Sequence, residues 1–179
     1  MFHPDTQFLI DHWTSLARRP ASRGGIPARA AVEPDLLGLR LPRAFMARRA
    51  GDDAVIRLAG GWIEAFHGRR LAERTLLSLW RPASRPLVST ALIQTVREGR
   101  PVVIVATAGG GAAQIEVALL PLRGPSGEPD RLLGLYAPAA TLTLATDEPR
   151  QLTARVSVGV GPATRAPLSL AAVHGRRIA

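Results

Sequence analysis

The 179-residue chain contains no cysteine and no lysine, and only 4% of its residues are aromatic. Without cysteine it can form no disulfide, no thiol nucleophile and no cysteine-based metal site. Without lysine it has nothing to play the part of the phosphate-contacting lysine of a P-loop. Gly60 and Gly61, in the stretch VIRLAGGWIEAFHGRRL at 55–71, do not supply a dinucleotide fingerprint either. That fingerprint needs three spaced glycines in a parallel βαβ unit and an acidic residue about 20 positions later. Long apolar runs are also missing. The most hydrophobic region, Val102 to Leu122, is interrupted by Gly109, Gly110, Gly111, Gln114, Glu116 and Pro121, whereas a membrane span needs about 20 nearly unbroken apolar residues. The beginning, MFHPDTQFLIDHW, has neither the basic start nor the apolar core of a signal peptide. These absences predict a cytoplasmic protein with no membrane anchor.

What the chain does have is arginine. All 23 basic residues are Arg, against 14 acidic ones, for a formal charge of +9. Such an excess raises a nucleic-acid reading, because clustered basic side chains are the electrostatic footprint of a phosphate binder. The distribution argues for a solvated surface instead. Arg18 and Arg19, Arg48 and Arg49, Arg69 and Arg70, and Arg176 and Arg177 come as isolated pairs rather than as one basic stripe. Hydrophobic residues make up 46% of the chain and charged residues 21%, a globular balance. At this length one domain plus a tail is expected. We place the domain at 1–140 and the tail at 141–179, partly disordered or docking as an extra strand.

Hydrophobic periodicity orders the elements. Pro4 and Asp5 suit the start of a helix in which Leu9, Trp13 and Leu16 share a stripe. That stripe must pack on the domain behind it or pair with a partner helix. After an irregular connector, 36–42 reads as a short helical turn. Ala44–Arg49 and Ala54–Ala59 read as strands joined by turn chemistry at Gly51-Asp52-Asp53. Ser84 can cap a helix running to Glu98, with Val88, Ala91, Leu92 and Val96 on one face and Gly99 and Pro101 as the stop. Val102–Ala108 is a strand rich in β-branched residues, turning through Gly109–Gly111 into Ala112–Leu122. There Ile115, Val117 and Leu119 alternate with Gln114, Glu116 and Ala118, so one face is expected to be wet. Leu132–Ala137 is the last strand of the body. Leu152, Ala154, Val156, Val158 and Val160 alternate well enough for one more, and 168–173 is a further short apolar segment. Runs of strands separated by helices give an α+β fold with an antiparallel sheet.

Chemistry-bearing constellations are scarce. His3, His12, His67 and His174 are scattered, with no partner at metal-ligand spacing. No serine lies in a GxSxG elbow. Glu116, on an otherwise apolar strand, suggests a structural salt bridge to an arginine. His67 lies among Trp62, Phe66 and Leu71, where an imidazole could ligate haem iron, although a histidine ending a helical turn is more often a packing residue.

Several blocks, in order, resemble the standalone PAS proteins of alphaproteobacteria, a group formerly catalogued as a domain of unknown function. They are IPAR at 26–29, Pro34, LP at 41–42, IRLAG at 56–60, HGRRL at 67–71, Trp80, EGRP at 98–101, IEVALLPL at 115–122 and RLLG at 131–134. His67 stands where an aromatic such as Phe is more usual, and Ala72-Glu73 replaces a Thr-Gly pair. The resemblance implies a five-stranded antiparallel sheet in the order 2-1-5-4-3, with helices over one face and a flanking N-terminal helix. It implies a sensory or regulatory role in bacterial signalling through a signalling protein or through self-association, the homodimer forming through the N-terminal helix. PAS pockets can hold haem, flavin or small metabolites. A flavin adduct of the light-oxygen-voltage type is excluded by the absence of cysteine, and haem would rest on His67 alone. The candidate pocket is therefore Trp62, Phe66, His67, Leu71, Ile104, Ile115 and Leu119, which equally describe a filled core.

Overall fold

The β-branched run at 102–108 lies near one side of an antiparallel sheet that organises the described residues. The computed structural model describes residues 1–108, 113–139 and 150–164. Its strands are β1 (Ala44–Ala50), β2 (Asp53–Ala59), β3 (Val102–Ala108), β4 (Ala113–Leu122), β5 (Arg131–Pro138) and β6 (Leu152–Gly159), and its α-helices are α1 (Pro4–Ala17), α2 (Gly61–His67) and α3 (Arg85–Glu98). The spatial order is β2-β1-β5-β4-β3-β6. The first five strands follow the expected 2-1-5-4-3 order, and the expected count of five becomes six. Leu152–Gly159 pairs antiparallel with β3 over its full length, from Val102 opposite Gly159 to Ala108 opposite Leu152. The glycine turn at 109–111 and the apolar segment at 168–173 lie outside the described residues.

Each face of the sheet carries its own core. On the front, α2, α3 and the 3-10 turns at Leu76–Leu79 and Pro82–Ser84 cover Phe45, Ile56, Ile104, Ile115, Leu119 and Tyr136. These are the helices expected over one face. On the back, α1 lays Leu9, Ile10, Trp13 and Leu16 against Val103, Ala118, Leu120, Leu122, Leu133 and Leu135. The stripe of α1 is thus spent on its own sheet. The Trp13 indole Nε1 donates to the Pro121 carbonyl at 2.8 Å and fixes the helix to β4. β4 therefore has no wet face along 117–122: Ala118, Leu120 and Leu122 are buried under α1 while Val117 and Leu119 are buried in front.

Polar residues placed by sequence find different partners. The cap of α1 is His3, whose Nδ1 accepts the Asp5 N–H at 3.1 Å. Asp5 pairs with Arg40 and Arg43, each at 2.8 Å. Both carboxylate oxygens of Glu116 accept the His3 backbone N–H at 3.0 Å, so its partner is the entry to α1 rather than an arginine. That placement sets a negative charge against the positive end of the helix dipole. Ser84 makes no side-chain cap to α3. Its Oγ instead accepts the Ala154 N–H at 3.0 Å and ties β6 to the front helices.

Two glycines are dictated by close approach. A Cβ on Gly60 would lie 2.1 Å from the Pro42 carbonyl oxygen, so the corner between β2 and α2 admits no larger residue. A Cβ on Gly134 would lie 2.0 Å from the Phe45 ring, which crosses β5 at that point as its cross-strand partner.

Candidate functional site

α2 begins immediately after the Gly60 corner, and its short length places Trp62, Phe66 and His67 over the middle of the front face. Gly68, left-handed at φ 64°, ends it and turns the chain toward Leu71. Ile104 from β3 and Ile115 and Leu119 from β4 form the floor. Six of the seven candidate pocket residues, all but the half-buried Trp62, are at most 2% exposed.

The residue that organises them is Tyr136 on β5. The Trp62 and Phe66 rings stack at 5.5 Å and 11°, and Tyr136 meets Trp62, Phe66, His67 and Phe45 edge-on at 6.4, 6.3, 5.8 and 6.0 Å. These separations and angles are those of favourable aromatic pairs. Rings therefore occupy the volume between α2 and β5. Sequence reasoning missed Tyr136, the chain's one tyrosine. A single phenol on a strand of leucine, glycine and alanine was the available signal, since a buried O–H needs a partner.

That partner is His67. Its Nε2 lies 3.1 Å from the Tyr136 hydroxyl and its Nδ1 lies 2.6 Å from the Arg150 carbonyl. A carbonyl can only accept, so Nδ1 carries the proton, and Nε2 accepts from the phenol. The result is a directed relay: Tyr136 O–H to His67 Nε2, then His67 Nδ1–H to Arg150 O. It links β5, α2 and the approach to β6. Burial lowers the His67 pKa to about 4; the Arg150 hydrogen bond works against the shift and the nearby Arg69 charge adds to it. Complete burial pushes the Tyr136 hydroxyl far above its ordinary value. Both side chains are neutral at physiological pH.

These contacts test the cofactors named above. Haem iron on His67 does not fit, because both ring nitrogens are already committed and Nε2 faces the phenol. A histidine that is a packing and hydrogen-bonding residue is what the geometry provides. On its outer side His67 borders a small polar pocket of about 240 Å³ with Arg69, Arg81, Arg150 and Gln151. Among the described residues no group of three or more His, Asp or Glu side chains could hold a metal ion.

The strand order, the glycine corner and the short helices after it meet a family model described as PAS domain, which matches residues 1–137. The chain belongs to the PAS domain family. No curated protein matches it. Among solved structures, this PAS domain is similar to a light-oxygen-voltage domain studied with a flavin analogue, at 15% identity and TM-score 0.47, covering 60% of this chain and 84% of that one. It is also similar to an RNA-binding light-oxygen-voltage receptor, at 18% identity and TM-score 0.42, covering 63% of this chain and 35% of that one. Membership rests on the family match. No helix among the described residues is long and apolar enough to cross a membrane.

Proposed function

We propose that this PAS domain is a non-enzymatic sensory or regulatory module that acts in bacterial signal transduction by binding another protein. The observation that carries this reading is the contrast between a front face filled with interlocked rings and a set of leucines left in water. Leu36, Leu39, Leu41 and Leu58 are 47%, 92%, 46% and 61% exposed, and all lie on β2 or on the 3-10 segment Pro34–Arg43. Leu41 and Leu58 line one depression, and adjoining exposed apolar side chains mark interaction surfaces on soluble domains. Self-association is the other form of the same reading. With Leu9, Trp13 and Leu16 buried, a dimer through α1 would use its polar outer face at Gln7, Asp11 and Ser15. Chemical cross-linking followed by capture of the tagged protein from its own cells tests the proposal: a stoichiometric protein partner or a doubled native mass supports it. Recovery of nucleic acid alone, with an affinity for random DNA that falls steeply with salt, would favour the phosphate-binding alternative.

One observation favours an added small-molecule role. Trp80 is fully buried on the front, and its Nε1 donor has no hydrogen-bond partner among the described residues. An orphaned buried donor costs about 1–3 kcal/mol, and a bound water or small polar ligand would remove that cost. Native mass spectrometry of the purified protein reads the ligand directly as added mass.

A further inference from the structure

A bulge turns one leucine out of the core. Met46 of β1 pairs with Leu58 of β2 and Ala47 pairs with Ile56, which leaves Arg57 as the extra residue. Cross-strand partners share a face. Ile56 therefore joins Ala47 in the front core, while Leu58 joins Met46 on the back. Bulges commonly re-aim side chains in this way. No helix covers Leu58, and it lines two adjoining depressions. The first, about 190 Å³, has Ala44, Phe45 and Leu133 in its floor and Leu41 in its wall. The second, about 550 Å³, shares Arg29, Met46 and Leu58 with the first and adds Arg57, Arg123 and Arg131, with no carboxylate among its lining residues. Arg57 and Arg131 pair with Glu73 and Asp130. Arg29 and Arg123 make no ion pair among the described residues. Arg123 is held by the Ile26 and Ala21 carbonyls at 2.8 and 2.9 Å, so its charge is fixed in place.

We propose that this groove is the docking site for an acidic amphipathic segment of a partner protein, an inference that rests on the protein-binding reading above. Apolar side chains of the segment seat between Leu41, Met46 and Leu58, and flanking Asp or Glu residues meet Arg29, Arg57 and Arg123. An apolar anchor bordered by complementary charge is the usual division of labour at an interface, the anchor giving affinity and the charges giving orientation and rate. A second copy of this chain is a poor occupant, since two surfaces of a protein with charge +9 would bring arginines together. Phosphate alone would match the arginines but leave the leucines unused.

The test places a photoreactive benzoylphenylalanine at Leu58, and separately at Val158 on the far edge of the sheet, in the cells that make the protein. Cross-linked segments are sequenced by mass spectrometry. The expected result is a cross-link from position 58 to a segment rich in Asp or Glu beside apolar residues. A synthetic peptide of that segment should bind the purified protein and weaken at least about tenfold with Leu58→Asp. It should weaken again with the double variant Arg29→Glu/Arg57→Glu, whose exposed side chains leave the core intact. Circular dichroism confirms that each variant folds, and the double variant decides the matter if Leu58→Asp does not. A neutral or basic segment, a second copy of this chain, or a peptide indifferent to the substitutions overturns the proposal. Protein cross-links from Val158 alone sink the groove and leave the protein-binding reading standing. No protein cross-link from either position sinks the groove, and the protein-binding reading falls with it only if chemical cross-linking of the whole protein also finds neither a partner nor a doubled mass.

Discussion

The two faces of the sheet solve the same burial problem in opposite ways. The front is sealed edge to edge by α2, α3 and two 3-10 turns, and its one buried histidine and one buried tyrosine satisfy each other. The back is covered along its middle by α1 and left open at both flanks, where Leu58 on one side and Val156 and Val158 on the other are 61%, 47% and 41% exposed. The difference teaches that stability and contact surface are separable in this fold. The front holds the domain together, and the flanks of the back are free for other work.

That division can be broken first at the front. Trp80→Ala removes the largest fully buried side chain and should cost about 3–5 kcal/mol, read as a lower denaturation midpoint in urea. The relay gives the next effect. Because the folded pKa of His67, about 4, lies below its ordinary value of 6.5, the unfolded chain takes up the proton first on acidification. Stability is then lost as the pH falls through 6.5 toward 4. Between pH 7.5 and pH 5 the loss should be about 2 kcal/mol, and His67→Gln should flatten that dependence; an unchanged pH profile would refute the assignment. Tyr136→Phe leaves Nε2 of His67 buried without a donor and should cost about 1–3 kcal/mol. Ser84→Ala loosens β6 through its lost bond to Ala154 and should cost about 1 kcal/mol, with faster hydrogen exchange at 152–159 than in β3. Smallest of all, Leu58→Ser should change stability by less than about 0.5 kcal/mol. A large destabilisation there would mean that the back flank belongs to the core, and the contrast between the faces would fall.

Much of this architecture could be read from periodicity. The buried face of α3 is Val88, Ala91, Leu92 and Val96, as spacing indicated, and β3 spans the β-branched run. The order of the first five strands came from resemblance rather than from any local signal. What the sequence concealed depends on distance along the chain or on register. His67 meets groups 69 and 83 residues away, and Glu116 meets one 113 residues away. The alternation at 152–160 suggested a single apolar face, yet Val105 pairs with Val156 and Ala106 with Ala154, so a bulge at Arg155 divides it. Leu152 and Ala154 face the front core, and Val160 packs on the back. Alternation predicts faces only while the ladder stays in step, and this sheet slips once on each outer strand pair.

The bulge at Arg57 gives chain length a role usually left to side-chain chemistry. Had the ladder run on unbroken past Ile56, Arg57 would stand opposite Met46 and Leu58 opposite Phe45 on the front; the one extra residue is what sends the leucine to the back. A single-codon deletion of Arg57 would therefore straighten the edge and leave each apolar residue of the strand on the side it already occupies.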